Sequence, residues 1–121
     1  MNNEITKLIG KTIIKIVGME KDKDVIIFET SDGEKYKMYH EQDCCESVTI
    51  DDVCGDVNDL IGSPILCAEE RISDGEGEQD ISATWTFYHF VTAKGYLDLK
   101  WFGESNGYYS ESVDFCRVDN N

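Results

Sequence analysis

The chain has 121 residues, enough for one domain around one core. Its 25 acidic residues against 11 basic ones leave a formal charge of −14, which excludes a nucleic-acid binder that works by neutralising phosphates. Hydrophobic content of 40% is ordinary for a folded domain, and no stretch approaches the roughly 20 apolar residues needed to span a bilayer.

The opening Met1-Asn2-Asn3-Glu4 has neither the basic nor the apolar segment of a signal peptide, so a cytoplasmic setting is expected. In that setting the five cysteines, which form no C-x-x-C, are expected as thiols.

Glu4 to Ile9 reads as a helical turn stopped by Gly10. The β-branched run Lys11–Val17 predicts a first strand and Val25–Thr30 a second. Ser31-Asp32-Gly33-Glu34 predicts a hairpin turn, because Asp-Gly tolerates positive φ. Lys35–His40 alternates, with Tyr36, Met38 and His40 on one face, and residues 47–53 predict a fourth strand.

The pattern then restarts. Leu60-Ile61-Gly62-Ser63-Pro64-Ile65 echoes Leu8-Ile9-Gly10-Lys11-Thr12-Ile13, again after a short polar helical turn, Asp56–Asp59. Ile65–Ile72, Thr84–Val91, Tyr96–Phe102 and Tyr108–Arg117 predict four more strands, with Ser73–Asp80 as a mobile loop. Phe87–Gly95 compares with Phe28–Gly33, and Glu-Ser-Val closes both His40–Val48 and the loop Glu104–Val113.

The expected fold class is α+β, mostly β: an antiparallel sheet or sandwich of about eight short strands with two short helices. It is built from two related halves, about residues 4–54 and 56–117. The expected core is Ile13, Ile16, Val25, Ile27, Met38, Val48, Ile50, Ile65, Trp85, Phe87, Leu97, Leu99, Val113 and Phe115.

His40, Asp43, Cys44, Cys45 and Cys54 are metal-ligand types, and a small zinc domain is one reading. Spacing counts against it, because adjacent strand residues point to opposite faces. A bond between Cys44 and Cys45 would depart from ordinary disulfide geometry, and the flanking Asp43 and Glu46 would raise thiol pKa values. The second half holds Tyr108-Tyr109 where the first holds Cys44-Cys45, so a packing role for the cysteines is expected. There is no phosphate loop, G-x-S-x-G or H-E-x-x-H, so neither a cofactor nor catalysis is expected.

The loop Trp101–Tyr109 combines rings, two glycines and polar donors, a composition that can stack a base and bond its edge. The plain alternative is a turn between core strands, with Asn106-Gly107 supplying positive φ. Arg71 and Arg117 are the only arginines available to an anionic ligand.

The runs His40–Glu46, Gly55-Asp56 with Asp59–Gly62, Thr84–Tyr88 and Gly103–Ser110 together resemble a family of small uncharacterised phage and prophage proteins. The resemblance covers almost the whole chain. It implies a phage or prophage origin and a setting in the host cytoplasm, and it carries no catalytic residues. By analogy of size and β-rich build, the chain is also similar to phage sponges of the Thoeris anti-defence type, which bind cyclic ADP-ribose-like signals and form oligomers.

These resemblances imply a binding protein that counters host defence by sequestering a nucleotide-derived signal. Trp101, Tyr108 and Tyr109 would stack, Asn106 would bond an edge, and Arg71 or Arg117 would meet phosphate. The alternative is an acidic nucleic-acid mimic docking on a basic host protein. Neither reading involves direct nucleic-acid or membrane binding, and both accommodate a homo-oligomer.

Overall fold

The computed structural model describes residues 4–42, 44–75, 81–107 and 110–118. Eight strands follow in order: β1 Ile13–Val17, β2 Val25–Thr30, β3 Lys35–Tyr39, β4 Ser47–Gly55, β5 Cys67–Gly75, β6 Ser82–Thr92, β7 Gly95–Ser105 and β8 Asp114–Val118. The two short helices are 3-10 turns, Glu4–Leu8 and Val57–Leu60. Asp56 caps the second by accepting from the Asn58 N–H at 2.9 Å. Among the described residues no helix is long and apolar enough to cross a membrane.

The strands form two four-stranded antiparallel sheets, ordered β1-β2-β3-β8 and β4-β7-β6-β5. Each half of the chain therefore contributes a three-stranded meander to one sheet and lends its last strand to the other. The inner faces share one core that includes Ile13, Phe28, Met38, Ile50, Ile65, Phe90, Leu97 and Leu99. Burial of these side chains, at about 1.5–3 kcal/mol each, holds the sheets together.

The sequence echo has a geometric counterpart where the halves meet. Gly10 donates its N–H to the Ile65 carbonyl at 2.8 Å, and Gly62 donates to the Ile13 carbonyl at 2.9 Å. Bridges join Ile9 to Ile65 and Ile13 to Ile61, both parallel, with Thr12 opposite Pro64 between them. Exchanging the Leu8–Ile13 positions for Leu60–Ile65 maps each contact onto the other. Gly10 and Gly62 adopt φ of 88° and 89°, a left-handed conformation that glycine adopts without a Cβ penalty.

Two strands face the other way from expectation. In β2, Ile26 and Phe28 are buried while Val25 is exposed and Ile27 half-buried. In β6, Thr86, Tyr88 and Phe90 point inward, and Trp85 and Phe87 point outward. The matching residue to Phe28 is thus Phe90, not Phe87. Both faces of these strands carry apolar side chains, so alternation alone leaves the facing undecided, and a one-residue slip inverts it. Ile16 and Val113 pack only against the rim of the core. Of the expected loop Ser73–Asp80, residues 73–75 end β5 and 76–80 lie outside the described residues.

Candidate functional site

The outward parity of β6 builds a ladder of side chains over the second sheet. Cross-strand pairing aligns Arg71 with Phe87, Phe87 with Lys100, and Lys100 with Asp52. A second row aligns Glu69, His89, Asp98 and Cys54, and a third Ser73, Trp85, Phe102 and Thr49. With strands spaced at 4.7–4.9 Å, Arg71 and Lys100 stand about 10 Å apart with Phe87 midway. The first two rows line an open cleft of about 500 Å³.

The aromatic part of this face is organised. Trp85 and Phe102 pack with centroids 4.3 Å apart, and the Lys100 ammonium lies 4.5 Å from the Trp85 ring centre. The Asp51 carboxylate, 3.6 Å away, also holds Lys100. Phe87 is 36% exposed. His89 Nδ1 meets Asp98 Oδ1 at 2.5 Å, so Asp98 orients the imidazole. The face offers a ring to stack on, a cation on either side, and carboxylates that accept from hydroxyls.

A second polar centre lies inside the loop after β3. His40 Nδ1 faces the Ser112 carbonyl at 2.7 Å and Nε2 faces the Glu46 carboxylate at 2.7 Å. Both side chains are buried. A carbonyl only accepts, so Nδ1 carries a proton, and the pair exists either as imidazolium and carboxylate or with the second proton on Glu46. Burial alone would lower the His40 pKa. The Glu46 hydrogen bond, the Ser112 carbonyl and the Glu46 and Asp114 charges outweigh it and raise the pKa. Glu46 also accepts from the Cys44 N–H at 2.8 Å, and Gln42 Nε2 donates to the Glu46 carbonyl at 2.8 Å.

The corresponding glutamate of the second half is also buried. Glu111 accepts from Thr84 Oγ1 at 2.8 Å and from Ser105 Oγ at 2.5 Å, tying β6 to the end of β7. The repeated Glu-Ser-Val marks both anchors in the sequence, where Glu46 stands only as a charge beside the cysteines.

The residues expected to form one ligand site do not converge. Trp101 points inward from β7 and is fully buried, with its indole N–H lacking a partner among the described residues. Its ring has no face open to a surface ligand. Asn106 is exposed beyond β7 and lines a separate cavity of about 250 Å³ with Cys45 and Ile81. Arg117 lies on β8 in the first sheet, ion-paired with Glu34 at 3.2 Å. Arg71 alone reaches the aromatic cleft. Tyr108 and Tyr109 lie outside the described residues.

Cys44 and Cys45 are both exposed and joined as a vicinal disulfide, contrary to the expected packing pair, while Cys54, Cys67 and Cys116 are free. Among the described residues no cluster of three or more His, Cys, Asp or Glu is placed to hold a metal ion.

Fold and face together define a two-sheet antiparallel β domain with an open aromatic and charged surface on its second sheet. The chain belongs to the DUF7448 family, a domain of unknown function whose family model matches residues 6–115. No curated protein matches the chain, and no solved structure does.

Proposed function

We propose that the protein is a non-enzymatic binding protein of phage or prophage origin that acts in the host cytoplasm. It sequesters a planar, anionic, nucleotide-derived signal such as a cyclic ADP-ribose and so blunts host defence. The observation that supports this reading is the row Arg71–Phe87–Lys100, a half-exposed ring flanked by two cations on adjacent strands. A base stacks on Phe87, and charge-assisted hydrogen bonds hold phosphate oxygens at either side. The neighbouring Asp98 and Asp52 accept from ribose hydroxyls. In a chain of net charge −14, Arg71 and Lys100 are the cations this face offers an anion, set among Asp52, Glu69 and Asp98. Isothermal titration with cyclic ADP-ribose isomers and cyclic nucleotides tests it. Binding that falls at least tenfold in Arg71→Ala and Lys100→Ala supports the reading, and no heat with any of these ligands removes it.

The acidic-mimic reading draws on the same face, where Glu69, Asp98 and Asp52 stand on three of its four strands. A basic host protein retained by the chain at low salt and released at high salt would favour this alternative.

A further inference from the structure

We propose that Cys44–Cys45 is a solvent-facing redox site, a vicinal dithiol/disulfide that exchanges with external dithiols, and that its two states set the hold of Glu46 on the loop. Three observations converge. Both cysteines are exposed and paired with each other, although three other cysteines are present and free. The loop is tied from below, since the Cys44 N–H donates to Glu46 Oε1 at 2.8 Å and Gln42 Nε2 donates to the Cys44 carbonyl at 3.2 Å. The other oxygen of that carboxylate holds the buried His40, which in turn bonds Ser112 in the segment leading into β8. A change in the Cys44 backbone therefore reaches a buried ion pair through one shared side chain.

The chemistry balances as ordinary thiol–disulfide exchange. One thiolate of an external dithiol attacks an exposed sulfur of the pair, forming a mixed disulfide and releasing a protein thiolate that takes a proton from water. The second thiol of the reagent loses its proton and attacks the mixed disulfide, releasing the second protein thiolate, which is protonated in turn. The protein gains two electrons and two protons, and the dithiol becomes a cyclic disulfide. In this exchange the disulfide is the electron acceptor and the external dithiol the donor. Reduction removes the covalent link between the two side chains. The Cys44–Cys45 backbone regains freedom, and its bond to Glu46 weakens.

The test uses the full chain with Cys54→Ser, Cys67→Ser and Cys116→Ser, which leaves the pair as its only thiols. The protein is oxidised with diamide, a two-electron oxidant, and then reduced with dithiothreitol. The expected result is a monomer that gains the mass of two hydrogens on reduction and then takes up one phenylarsine oxide per chain, with loss of water. Adding Cys44→Ser or Cys45→Ser abolishes both. The His40 ring resonances shift between oxidised and reduced forms and do not shift in either serine variant. Oxidation that yields only disulfide-linked dimers, or no mass change through the cycle, overturns the site. A mass change without movement of the His40 resonances overturns the coupling to Glu46.

Discussion

Phe28 and Phe90 face each other across the core, one from each sheet, with ring centroids 6.1 Å apart and planes inclined at 51°. They occupy matching places in the two halves, and both are fully buried. Phe90 also stacks near Tyr88, and Phe28 meets Phe115 edge-on, so this contact joins both sheets through four rings. Phe28→Ala or Phe90→Ala opens a cavity at the junction and is expected to cost about 3–5 kcal/mol. Urea unfolding followed by Trp fluorescence measures it, and a loss below about 1 kcal/mol would mean that the sheets do not meet there.

Phe87 makes the contrasting case. Its side chain leaves the second sheet on the solvent side, so Phe87→Ala is expected to change stability by no more than about 0.5 kcal/mol. The same change removes the ring between Arg71 and Lys100, and the affinity for a stacking ligand falls by at least tenfold. Thermal melting and titration on one sample separate the two effects, and a large drop in melting temperature would show that Phe87 packs in the core.

The His40–Glu46 pair predicts a pH dependence whose sign follows from the raised imidazole pKa. The folded state binds the proton more tightly than the unfolded chain, whose imidazole titrates near 6.5. The stabilisation is complete below that value and is lost as pH rises through the higher folded pKa. The urea midpoint of the wild type therefore falls relative to that of Glu46→Gln as pH rises above about 6.5. Parallel curves for the two proteins would show that the pair is not protonated in this way. Glu46→Ala, which strips the partner from a buried imidazole, is expected to cost about 3–5 kcal/mol at pH 6.

Gly103 predicts a steric limit. A Cβ there would stand 2.9 Å from the Glu111 carbonyl oxygen, 3.0 Å from Glu111 Cβ and 3.0 Å from a Val48 methyl. Two of these three neighbours belong to the residue that ties Ser105 and Thr84. Gly103→Ala is therefore expected to destabilise by about 1–3 kcal/mol, as overpacking does. Gly33→Ala, where a Cβ would meet nothing within 4 Å, carries only the cost of its positive φ of 87° and serves as the comparison. Equal losses at both sites would mean that the loop carrying Glu111 does not approach β7.

Much of the fold was legible along the chain. The Asp32-Gly33 turn, the helical turn before Gly10 and its echo before Gly62 are local signals, set by backbone preferences of a few residues. Strands β2 and β3 fall within a residue of where alternation and β-branching place them. The matching of Leu8–Ile13 with Leu60–Ile65 was also visible, because related local structure repeats related residues. Glu46 and Glu111 stood in the repeated Glu-Ser-Val, yet their burial is not a property of the tripeptide. It arises from what the neighbouring strands bring against them.

Length, charge, strand periodicity and turn chemistry determined a mostly β domain in two related halves, since each depends on residues close in sequence. Which face of β6 turns inward depended on the other sheet, whose Phe28 meets Phe90 across the core. The exchange of β4 and β8 between the meanders, the inward turn of Trp101 and the meeting of Arg71 with Lys100 across β6 are likewise contacts between distant segments. Tertiary packing alone decided them, because pairing partners and side-chain facing are set by the whole buried surface and not by any strand considered singly.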